Sequence, residues 1–135
     1  MLILAIRTDK PESELYLLEL LHPGKIVGSE VWSAHRTLAE TLHGKIKSLL
    51  ASRHSTFHDL EGVIVYSGPG SFTGLRIGVA VSNALASSLD IPVVGSTSDD
   101  WIELGLKLLP SAVEQKSTVV IPQYGSDPHI TVPRK

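Results

Sequence analysis

Hydrophobic positions in the first third of the chain fall into three short runs: Leu2 to Ile6, "ELYLLEL" over 14–20 and "KIVGSEVW" over 25–32. The turn formers of "TDKPES" and "HPG" lie between them, which predicts three strands joined as an antiparallel meander. From Ser33 the period changes. Leu38, Leu42, Ile46, Leu49 and Leu50 recur every three or four residues, the pattern of an amphipathic helix that ends near Arg53. Thr37 and Glu40 have the spacing of a capping box at its start.

Beyond this helix the chain alternates. "GVIVY" (62–66) reads as a buried strand, "SFTGLRIGVAVSNALASSLD" (71–90) as a second helix and "IPVVG" (91–95) as a further strand. "TSDDWIELGLKLL" (97–109) reads as a third helix with Trp101, Leu104, Gly105 and Leu108 on one face. Strand, helix, strand, helix after a meander predicts an α/β fold: a mixed sheet with parallel crossovers, flanked by helices, in the ribonuclease-H-like pattern. The domain is expected over 1–121, with 122–135, which carries three prolines, as an extended tail.

Composition narrows the field. At 42% hydrophobic but only 5% aromatic, the chain must build its core from aliphatic side chains. Twelve Lys and Arg against fourteen Asp and Glu leave a net charge of -2, so no broad field favours nucleic acid or anionic lipid, and direct tRNA binding is expected to be weak. The absence of cysteine excludes a disulfide framework and any thiolate zinc site. "MLILAI" is too short for a signal peptide or a membrane span, so a soluble cytoplasmic protein with no membrane partner is expected.

The stretch "GVIVYSGPGSFTGLRIGV" (62–79) carries the strongest chemical signal. Pro69 presets φ and Gly70 can take φ > 0, so "GPGS" suits a type II turn, with Ser71 or Thr73 as helix cap. Free N–H groups there could attract an anion, which makes Gly68, Gly70, Ser71 and Gly74 candidate phosphate contacts. The known fingerprints do not fit, however: no lysine completes a Walker A loop, and the glycines give GxGxxxG rather than GxGxxG. Along the helix, Gly74, Gly78 and Ser82 form a small-residue stripe, and Ala80, Ala84, Ala86, Ser87 and Ser88 keep the rest of its surface small. Two interior glycines cost about 1 kcal/mol each relative to alanine, so close approach of another backbone should compensate. That backbone belongs either to the chain's own fold or to a partner helix.

Other constellations carry less. His54 and His58 have HxxxH spacing but sit among loop formers, and His22, His43 and His129 read as surface residues. Asp99, Asp100 and Glu103 suit the dipole at the start of the third helix. Ser71 is no nucleophile elbow, since GxSxG is lacking. No residue is singled out as catalytic, and neither a metal nor a cofactor is expected.

"SGPGSFTGLRIGVAVSNALA" closely resembles the signature of the TsaB (YeaZ) family, and "LILAIRTD", His35 and "DIPVVGSTS" fall in that family's order, so the resemblance covers 1 to about 109. It implies an actin-like ATPase fold. It also implies a non-catalytic accessory role beside TsaD, with a TsaE-like ATPase as third component, in forming N6-threonylcarbamoyladenosine (t6A) in tRNA, which the chain would meet only within the complex. The histidines of the TsaD metal motif would fall at Ser98 and Ile102, and both are absent. Arg7 stands where the family tends to have aspartate, with Asp9 two residues on, and the tail follows so soon that a single-lobe variant lacking the second actin-like lobe is expected. The family pairs its first two helices with those of TsaD, so Leu38, Leu42, Gly74, Gly78 and Ser82 are the expected partner interface. A nucleotide-binding module using the Gly68–Gly74 loop and a structural homo-oligomer, or a homodimer of the chain alone, stand as alternatives.

Overall fold

The uninterrupted apolar run at the start of the chain becomes the centre of the sheet. In the computed structural model, which describes residues 2–19, 25–115 and 120–121, strand β1 (Leu2–Arg7) pairs antiparallel with β2 (Glu12–Glu19) on one side and parallel with β4 (Leu60–Tyr66) on the other. The edge strands are β3 (Lys25–Ser33), antiparallel to β2, and β5 (Val93–Ser96), parallel to β4, so the order is β3-β2-β1-β4-β5. A strand apolar at every position needs cover on both faces, and only a central one gets it. Ile3, Leu4 and Ile6 are each at most 1% exposed, and full burial of such a side chain contributes about 1.5–3 kcal/mol. The meander and the two parallel strands are as the sequence predicts.

Helices α1 (Leu38–Ala51) and α2 (Phe72–Leu89) cover one face, where Leu38, Leu42, Ile46, Leu49, Leu50 and Val79 meet Leu2, Leu4, Ile6, Leu15 and Leu17. Helix α3 (Trp101–Gln115) covers the other, over Ile3, Ala5, Ile64, Tyr66 and Val94. It starts later and runs longer than the sequence suggests. Ser98, at φ 68, turns the chain and accepts no helical role, while Pro110 lies within the helix at an exposed position, where water can satisfy the carbonyl that loses its amide partner. The buried face is Trp101, Gly105, Leu109 and Ala112; Leu104 is half-buried and Leu108 exposed.

The caps also differ from expectation. Thr37 directs its hydroxyl back to the Ala34 carbonyl at 2.7 Å, so no capping box forms with Glu40. A capping box forms instead at Thr56 and Asp59, ahead of β4, with Asp59 Oδ2 accepting from the Thr56 N–H at 2.8 Å. His54 adopts φ 57 just past α1, where Ser55 N–H reaches back to the Leu50 carbonyl, so this histidine ends a helix. His58 lies in the following 3₁₀ turn, and both are exposed. Val120 packs into the α1–α2 core, while the expected tail, 122–135, lies outside the described residues, as do His22 and His129.

Candidate functional site

Two places on the fold draw the predicted residues together. The first is the turn from β4 into α2, at the carboxyl ends of the parallel strands, where α/β sheets place their ligands. It is not a type II turn: Gly68 takes the positive φ, 120°, the Gly68–Pro69 peptide is cis, and Gly70 stays in an ordinary conformation. Ser71 is the N-cap residue of α2 but makes no side-chain capping bond. The turn is instead held by its neighbours. Tyr66 donates its hydroxyl to the Pro69 carbonyl at 2.7 Å, and Thr8 donates to the Gly74 carbonyl at 2.7 Å. Asp9 fills the space beside Gly70, where an added Cβ would lie 2.6 Å from the Asp9 Cβ.

Arg7 and Asp9 close this corner as a pair. Arg7 Nε donates to Asp9 Oδ1 at 2.8 Å and Nη2 to Oδ2 at 3.3 Å, and the guanidinium carbon lies 3.9 Å from the centre of the Tyr66 ring. Burial pulls the Arg7 pKa down, but the hydrogen bond to Asp9 and its charge more than reverse this, so the net shift is upward. Burial likewise raises Tyr66, against the opposing charge of Arg7. Behind Asp9 a cleft of about 360 Å³ opens between the β1–β2 turn and α2, lined among others by Thr8, Ser13, Leu38, Thr73 and Ile77.

An actin-like fold implies a magnesium nucleotide at such a crevice. The residues here do not fit one. The carboxylate nearest the cleft already has both oxygens engaged by Arg7, which brings only donors and positive charge where a metal would need acceptors. Among the described residues no group of three or more His, Asp or Glu side chains could hold a metal ion. Ser98 lies in the turn before α3 and Ile102 is half-buried within that helix.

The second place is the outer surface of α1 and α2. Here the expected interface needs correction. Leu38, Leu42, Gly78 and Ser82 are buried inside the chain, and the open side of Gly74 faces the Thr8 carbonyl. A Cβ at Gly78 would collide with the Thr8 hydroxyl. The stripe is therefore the seam at which α2 meets β1, and the close backbone approach that it permits is internal. What α2 turns outward is its other small face, Ala80, Ala84, Ser87 and Ser88. Beside it runs a groove of about 310 Å³ lined by Ala39, His43 and Ile46 of α1 and Val81, Ala84, Leu85 and Ser88 of α2. His43 is exposed and stacks on Phe57, ring centres 5.0 Å apart. Sequence periodicity contained this outward face, as the alanines and serines of α2, without saying which small stripe pointed out.

The mixed five-stranded sheet with helices on both faces defines an actin-like, ribonuclease-H-like α/β lobe. Comparison with solved structures agrees: YeaZ from Pseudomonas aeruginosa matches with a TM-score of 0.63 and 28% identity over 71% of this chain and 43% of that one. The family model described as TsaD, tRNA N6-adenosine threonylcarbamoyltransferase, matches residues 30–112. An uncharacterised protein of Mycobacterium tuberculosis is 38% identical over 100 residues, 74% of this chain and 47% of the relative. The tRNA threonylcarbamoyladenosine biosynthesis protein TsaB of Bacillus subtilis is 45% identical over 53 residues, 39% of this chain and 23% of the relative. The chain belongs to this threonylcarbamoyltransferase family, on its TsaB (YeaZ) branch. It spans less than half the length of these relatives.

Proposed function

We propose that the chain is a non-catalytic TsaB-like subunit that binds a TsaD-type catalytic partner in t6A modification of tRNA, in the cytoplasm, through the outer face of α1 and α2. The observation that carries this reading is that face itself: a shallow surface of Ala80, Ala84, Ser87 and Ser88 beside an apolar groove, suited to close packing of partner helices. The paired Arg7 and Asp9 support an accessory role over nucleotide chemistry. With a net charge of -2, the chain meets tRNA only through the complex, in which a TsaE-like ATPase is the third component. Without a partner the same face pairs two copies of the chain. Among the described residues no helix is long and apolar enough to cross a membrane.

The test is co-purification of the full chain with a TsaD-type protein and a TsaE-type ATPase, followed by an assay for t6A in tRNA. Ala84→Arg should abolish the complex and the modified base while leaving the thermal melt unchanged, and Lys107→Leu on α3 should alter neither. A complex that survives Ala84→Arg would move the interface elsewhere. Tight binding of ATP or of tRNA by the chain alone would overturn the accessory reading.

A further inference from the structure

The carboxylate of Asp9 is only 8% exposed, and its carbon skeleton is pressed against Gly70, where no side chain would fit. A charge so placed is costly unless it is paired and hydrogen-bonded. Arg7 meets both needs with two donors on one planar group, at 2.8 and 3.3 Å, and its flat face rests on Tyr66. These contacts converge on one segment: Asp9 lies against Gly70, while Tyr66 holds the Pro69 carbonyl. Arg7 therefore touches both side chains that pin the first half of the turn, one by charge and the other by stacking.

We propose that Arg7 is a positioning residue that serves as a built-in cation: by fixing Asp9 and Tyr66 it sets the Gly68–Gly74 turn, and with it the start of α2, with no bound ion or nucleotide needed. The effect on partner binding rests on the reading of the α1–α2 face given above; the effect on the turn does not. Lysine cannot substitute, because a single ammonium offers neither the fork nor the flat face.

The experiment compares amide exchange at 75–77, whose N–H groups bond back to the carbonyls of the turn, beginning with Leu75 to Ser71 at 2.9 Å, with exchange at core positions 63–65 in the full chain. In Arg7→Ala, exchange at 75–77 should rise by roughly a hundredfold, from loss of one partner of a buried pair, while the core changes far less. Millimolar ethylguanidinium should restore protection at 75–77. Replacing Asp9→Asn in the same background should restore part of it, by removing the orphaned charge. A uniform rise over 75–77 and the core, or no rescue by ethylguanidinium, would overturn the proposal. Should Arg7→Ala fail to fold, Arg7→Lys carries the comparison: exchange at 75–77 still rises above the core's, and wild-type exchange there would overturn the proposal. Affinity for a TsaD-type protein, measured in parallel, should fall in Arg7→Ala and return with ethylguanidinium. If the turn behaves as stated while affinity is unchanged in both Arg7→Ala and Ala84→Arg, the docking face is wrong and the role of Arg7 stands.

Discussion

Thr8 and Gly78 share one side-chain volume between β1 and α2. The Thr8 Cβ lies 3.2 Å from where a Cβ at position 78 would sit, and the Thr8 hydroxyl, bonded to the Gly74 carbonyl, is nearer still. A methyl group there cannot be relieved by a flexible chain end, because Thr8 is branched at Cβ and anchored. Gly78→Ala should therefore lower unfolding stability by about 1–3 kcal/mol, and Gly78→Leu by more, in urea titration. In a Thr8→Ala background the Gly78→Ala penalty should shrink, since the two sites are in contact. Equal penalties in both backgrounds would mean that Thr8 and position 78 do not compete for this space.

Nucleotide binding gives a second test. Both oxygens of Asp9 face Arg7, so the isolated chain titrated calorimetrically with ATP and magnesium should give no binding in the micromolar range. Arg7→Asp should not create ATP hydrolysis, because one carboxylate restores charge without building a site. A micromolar dissociation constant for the wild-type chain would contradict this.

Tyrosine ionisation gives a third. Burial first, then its hydrogen bond to Glu14 Oε1 at 2.9 Å, pushes Tyr16 up to about 12, and burial raises Tyr66 as well. The unfolded chain releases these protons near pH 10, while folded Tyr16 holds its proton to about 12. Unfolding therefore releases protons within that window, and stability falls as pH rises through it, by at most about 1.4 kcal/mol per pH unit per group. Phenolate absorbance should show the delayed ionisation, and Glu14→Gln should shorten the delay without removing it.

A fourth test concerns Asn83 on α2. Its side-chain amide donates to the Val120 carbonyl at 3.0 Å and accepts from the Val120 N–H at 2.9 Å, so one side chain satisfies both backbone groups. Asn83→Leu leaves both without this partner and should cost about 1–3 kcal/mol, with faster exchange of the Val120 amide. Gly95→Val should act on the same spot, since a Cβ at Gly95 would lie 2.7 Å from Val120 Cγ1.

How far the sequence reveals this fold depends on what each signal measures. Periodicity reports burial, so the apolar β1, the Leu38 to Leu50 stripe and the "GVIVY" strand are all visible in advance. It says nothing about glycine, which carries no side chain to bury; hence Gly74 and Gly78 could mark either a partner surface or an internal seam until Thr8 is seen beside them. The third helix, read from sequence as 97–109, runs on through Pro110 to Gln115 because that proline's position is exposed, which sequence does not show. Arg7 and Asp9 stand two apart at the end of a strand, but whether the chain folds Asp9 back depends on the turn through Lys10 and Pro11. The cap at Thr37 fails for a similar reason: its hydroxyl finds the Ala34 carbonyl, three residues earlier, instead of the helix N–H groups.

Asn83 and Val120 also impose an order on synthesis. A chain made from its N-terminus presents α2 and β5 well before Val120, which lies 37 positions after Asn83. At roughly 5–20 residues per second, several seconds pass between the two leaving the ribosome. During that interval the Asn83 amide lacks the partner that Val120 supplies, and the space beside Gly95 that Val120 Cγ1 takes is not yet filled. The flank of α2 beside Gly95 is thus among the last parts of the lobe to be closed, because the residue that closes it is synthesised after every strand and helix described.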